Sequence, residues 1–156
     1  MTLFFLVKLA HIIGATVLFG TGVGIAFFML MAHRTGDARL IAHTAGVVVL
    51  ADTVFTATAV VLQPLTGAWL AVLAGYPLNQ GWILASLALY VVTGLLWLPV
   101  VWIQLKVRNL ARAAAAAGTP LPSAYHRLFR IWLAFGFPAF AAVMGILWLM
   151  IARPSF

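Results

Sequence analysis

Lys8-Leu9-Ala10-His11-Ile12-Ile13-Gly14 lies inside an apolar run from Leu3 to His33. It sets His11 about two turns into that run. At ~1.5 Å per residue, the run is long enough to cross a ~30 Å hydrocarbon core. An ionisable side chain at membrane depth is costly, and one found there marks a candidate site. What His11 faces is therefore the first question about this chain.

Composition carries the same reading outward. Of 156 residues, 65% are hydrophobic and only 7% charged. A soluble domain is nearer a quarter charged. Apolar runs longer than a soluble core helix needs recur along the chain, as in membrane proteins. The net charge of +7 is not a nucleic-acid footprint, because the basic residues sit between apolar runs. There is no cysteine, which excludes disulfides, thiolate ligands and covalent Cys-x-x-Cys-His haem attachment. The first run is too long for the apolar part of a cleaved signal peptide.

The pattern predicts an all-α, four-helix membrane bundle forming a single transmembrane domain, 1–156. Its helices are expected at about 3–31, 40–62, 81–105 and 125–152. The second should stop at Gln63-Pro64. Residues 65–74 then read either as a helical extension or as an interfacial segment. Trp69, Tyr76, Trp82 and Trp148 suit the headgroup level. Ala111 to Ala117 reads as a continuation of the third helix, stopped by Gly118. Basic residues gather in the first loop, as Arg34 and Arg39, and around the third, as Lys106, Arg108, Arg112, Arg127 and Arg130. Those loops should face the cytoplasm, with both termini outside, in a bacterial cytoplasmic membrane.

Within the bilayer, polar side chains are few. Asp52 is the one acid well inside, near the midplane. Thr56, Ala59 and Gln63 share its face at i+4, i+7 and i+11. It is the candidate catalytic residue, for proton handling; the structural alternative is a carboxyl neutral or hydrogen-bonded to Thr53 or Thr56. His43, nine residues earlier, lies on the opposite face. Gly20-x-x-x-Gly24 suits close helix packing.

The chain's imidazoles suggest two places for haem b, since neutral histidine is a usual axial ligand. An outer site would use His11, with Met144 at a similar depth on the fourth helix. An inner site would use two of His33, His43 and His126. Each histidine has a structural alternative, at a helix end or an interface. A copper ion held by His11 and methionine is a further option, although Met-x-x-Met clustering is lacking.

Several stretches resemble a family of small, uncharacterised bacterial integral membrane proteins: Lys8 to Gly14, Gly20 to Phe28, Gln63-Pro64-Leu65-Thr66-Gly67, Trp97 to Gln104, and Met150-Ile151-Ala152-Arg153-Pro154. More loosely, the chain is similar to the wider group of HemJ-type protoporphyrinogen oxidase and copper-resistance D membrane proteins. His11, His33 and Gly81-Trp82 match the HemJ pattern. That resemblance implies His11 as a haem b ligand. It departs at Ser86, where that group has a lysine, and at Gly136-Phe137, where it has Asn-Glu. The oxidase activity is therefore not expected to carry over.

The leading expectation is a haem b membrane protein that moves electrons or protons, with quinone or another redox partner. The alternatives are a transporter or metal-handling protein lined by Asp52, Thr56 and Gln63, or a structural subunit. In the last case its small-residue faces would pack in a homo-oligomer or a larger complex.

Overall fold

A computed structural model describes residues 1–155. Helix α1 spans Thr2–Thr35, α2 Ala38–Ala51, α3 Ala57–Leu73, α4 Gly81–Ala117 and α5 Ser123–Ala152. A π-helical turn, Asp52–Thr56, joins α2 to α3, so the two form one rod from Ala38 to Leu73. Four rods are thus long and apolar enough to cross a membrane, and the protein is an all-α four-helix membrane bundle. Four crossings put Thr2 and Ala152 on the same face. The basic loops share the other, here called the basic end.

The breaks at the basic end have local causes. Gly36 takes φ 68° and returns its N–H to the His33 carbonyl, closing α1. Asp37 then caps α2, its Oδ1 accepting the Arg39 N–H at 2.7 Å. One of the chain's two acids is therefore engaged in capping. Gly118, at φ 64°, ends α4 after the alanine run.

Helix α4 lies along α5, α2 packs on α4, and α1 lies across α2 and α3, while α1 and α5 barely touch. The densest packing is toward the basic end, where Met29, Ile41, Ala45, Val107, Tyr125 and Phe129 belong to one buried cluster. Tyr125 and Ile41 are fully enclosed there.

The second rod departs from the expected stop at Gln63-Pro64. Helix α3 continues through Pro64 to Leu73, so residues 65–73 extend the rod rather than form a separate flat segment. Proline offers no N–H to the carbonyl four residues back, which here is Val60. The Tyr90 hydroxyl reaches across from α4 and donates to that carbonyl. Lipid supplies no water to do so, and the tyrosine replaces the lost helical bond. Tyr90→Phe should destabilise the bundle by about 0.5–1.5 kcal/mol in detergent unfolding. In a Pro64→Ala background, where the substituted residue regains a backbone N–H for the Val60 carbonyl, the same change should have little effect.

Candidate functional site

His11 lies against α3. Its Nδ1 is 2.8 Å from Thr66 Oγ1. The Thr66 hydroxyl directs its own proton to backbone, with the Leu62 carbonyl at 2.7 Å. A hydroxyl has one proton, so its oxygen accepts the bond from His11 Nδ1–H. With the hydroxyl proton on the Leu62 carbonyl, the consistent tautomer has the hydrogen on Nδ1 and the lone pair on Nε2. Nε2 makes no hydrogen bond among the described residues.

Two glycines make the approach possible. A Cβ on Gly67 would stand 3.1 Å from His11 Cε1, so the ring rests on bare backbone. A Cβ on Gly14 would stand 2.2 Å from Gln63 Nε2, closer than atoms can pack. That amide donates to the His11 carbonyl at 2.9 Å. The seam therefore joins His11 and Gly14 of α1 to Gln63, Thr66 and Gly67 of α3. Sequence reasoning singled out both stretches without pairing them, and it gave Thr66 no role. The available signal was two stretches of small and polar residues at the same membrane level.

Met144 is 45% exposed on α5. Phe19 of α1 lies against Phe140 of α5, with centroids 5.5 Å apart. Among the basic-end histidines, His33 is the most engaged. Its ring stacks on Phe129 at 3.7 Å and 10°, and Nδ1 lies 3.0 Å from the Tyr125 hydroxyl. His126 meets His33 edge-on at 5.9 Å and is exposed. His43 is exposed too, in an open groove with Gly46, Leu50 and Arg112. Among the described residues no three His, Asp or Glu side chains converge. The buried Ser86 hydroxyl is held by its own helix, 2.7 Å from the Trp82 carbonyl.

A second polar group surrounds Asp52, which is buried in the π turn. Trp97 Nε1 of α4 donates to its Oδ2 at 3.3 Å. Thr56 and Gln104 also face the carboxyl, but neither closes a hydrogen bond of normal geometry. The expected stripe of Asp52, Thr56 and Gln63 is thus divided. Asp52 turns toward Trp97 of α4 and Gln63 turns to α1, because the π turn takes up an extra residue and rotates α3 relative to α2. Trp97 and Gln104, seven residues apart, were readable as one face of α4; Trp132, which lines the cavity beside Gln104, gave no sequence signal.

The fold and its two polar sites define a four-helix integral membrane protein whose chemistry-bearing side chains lie between helices. The chain matches the family described as "Predicted integral membrane protein (DUF2269)" over residues 5–154, and it belongs to that family. No curated protein matches the chain, and no solved structure does.

Gly14→Ala should displace the Gln63 amide from the His11 carbonyl and lower stability by about 0.5–1.5 kcal/mol, the usual worth of a hydrogen bond. In a Gln63→Ala background the same change should cost little, read by thermal unfolding in detergent.

Proposed function

We propose that this chain is a haem b protein of the bacterial cytoplasmic membrane, with His11 Nε2 as an axial ligand. The observation that carries the proposal is the Nδ1–H bond to Thr66, which leaves Nε2 its lone pair. Metal-bound histidines characteristically donate their other ring N–H to such a partner, which fixes tautomer and orientation. The donor set fits one face of a haem: a neutral imidazole held against glycine backbone and lacking any competing bond. The looser likeness to HemJ-type proteins supports the same residue.

Haem b, when bound, supplies reversible one-electron chemistry, and the protein supplies the ligand, depth and dielectric around it. Thr66 aims the imidazole. Gln63 ties the His11 backbone to α3 and keeps the ligand at a fixed height. Met144, partly exposed on α5, would be a second residue that could hold the group. The basic-end pair of His33 and His126, and His43, rank below His11, since the His33 ring is already engaged by Tyr125 and Phe129. With the basic loops in the cytoplasm, His11 lies toward the outer face, where a quinone or a redox protein could exchange electrons. A second reading, a transporter or metal-handling protein, is favoured by one observation, the buried polar group around Asp52.

Oxidised and dithionite-reduced spectra of the purified protein test the proposal. A Soret band with sharp reduced α and β bands is expected, and a protein that stays colourless after haem is added back overturns it. His11→Ala should abolish bound haem. Thr66→Val should retain it with affinity lowered about 10–100-fold, as for other groups that orient a ligand.

A further inference from the structure

The polar group around Asp52 is not used by the haem reading. Asp52, Gln104, Thr56 and Trp132 are 3%, 5%, 7% and 7% exposed. Yet Asp52 Oδ1, Thr56 Oγ1, both amide atoms of Gln104 and Trp132 Nε1 have no hydrogen-bond partner. Buried orphans are uncommon, and several in one place call for a ligand. Gln104 and Trp132 line the same cavity of about 10 Å³, walled by Met29, Val48, Val107 and Phe129. The cavity lies on the basic-end side of Asp52.

Charge narrows the choice of ligand. Helix α1 has no titratable side chain between His11 and His33, α2 has none between His43 and Asp52, and α3 has none at all. On α4 the Tyr90 hydroxyl is bonded to Val60, and Lys106, two residues past Gln104, is exposed with its Nζ over the Trp102 ring. On α5 the nearest is Arg130, exposed two residues before Trp132. The groups that face the carboxyl are neutral: Thr56, Trp97 and Gln104. A carboxylate in lipid with no counter-charge is strongly disfavoured, so the site needs a positive charge from elsewhere. Tryptophan N–H groups do not coordinate metal cations, and two of them point into this region.

We infer that Asp52 is an exchangeable proton-binding site at mid-membrane, with Gln104 and Trp132 lying between it and the basic end. Binding forms one O–H bond on the carboxylate with a proton taken from hydronium at the basic-end face, and release returns that proton to bulk water there. The site lies on the α4 side of the second rod and does not depend on haem at His11.

The test is labelling of the intact protein in liposomes with dicyclohexylcarbodiimide, a lipid-soluble reagent that adds to protonated carboxyl groups, mapped by mass spectrometry. The other acidic side chain is Asp37, exposed as a helix cap, and it serves as an internal control. Asp52 should be labelled, at a rate that falls as pH rises, and Asp52→Asn should abolish the label. Asp52→Glu should retain it, which separates loss of the carboxyl from loss of the fold. Trp132→Phe removes the indole N–H together with part of the ring, and should shift the pH at which labelling is half lost. Absence of label on wild-type Asp52, a rate indifferent to pH, or an unmoved midpoint in Trp132→Phe would each overturn the proposal. So would protection by sodium at constant pH, which would make the site one for a metal cation.

Discussion

A bilayer interior offers no water to a polar group, and most of what is specific in this fold follows from that constraint. Apolar surface needs no special arrangement here, since lipid accepts it. The directed contacts arise where backbone or side-chain polarity must be answered within the protein. The Val60 carbonyl, freed by Pro64, is answered by Tyr90. The His11 carbonyl gains the Gln63 amide, and the Thr66 hydroxyl takes up the His11 ring while still serving its own helix. These bonds join α3 to both α1 and α4 at the less densely packed end. At the basic end alanine contacts and the Tyr125–Phe129 cluster do the same work by packing.

The second rod is the spine of this arrangement because it serves different neighbours at different depths. Its π turn presents Asp52 and Thr56 to α4. Farther along, α3 presents Gln63, Thr66 and Gly67 to α1. A regular α-helix would have kept Asp52, Thr56 and Gln63 on one stripe. One extra residue in the turn separates Asp52 from Gln63, so the rod carries two polar sites on two faces. Turns of this kind occur often at functional sites, where a regular helix could not aim the side chains.

The membrane class and the four spans were legible in hydropathy and loop charge, because both depend only on composition along the chain. The continuation of the second helix was not. Proline is a local signal for a stop, and its rescue by Tyr90 comes from a helix 30 residues away. Within the His11 site, the histidine itself stood out by depth. Its partners did not, since pairing α1 with α3 requires the rotation of one rod against another. Gly14 and Gly67 looked like generic small residues, and only the side chains laid over them show why each is bare. Gln104 stood out only as the end of the family-like stretch from Trp97, and Trp132 carried no signal in the sequence. Both border a cavity that no periodicity encodes.

The two sites also differ in how they are held, and this bears on what each can do. His11 is fixed on both sides: its carbonyl by Gln63, its Nδ1 by Thr66, its ring plane by the absence of a Cβ on Gly67. Such a side chain is suited to a ligand of fixed geometry, because orientation is set before anything binds. Asp52 has a single hydrogen bond, from Trp97, and is otherwise faced by groups that could rearrange toward it. Orphan donors and acceptors leave more than one pattern of hydrogen bonding open at little difference in energy. That suits a group whose charge changes, since neutral and ionised carboxyls require different partners. Rigid presentation at one end and adaptable solvation at the middle are what a membrane protein needs to hold a ligand and to exchange a proton.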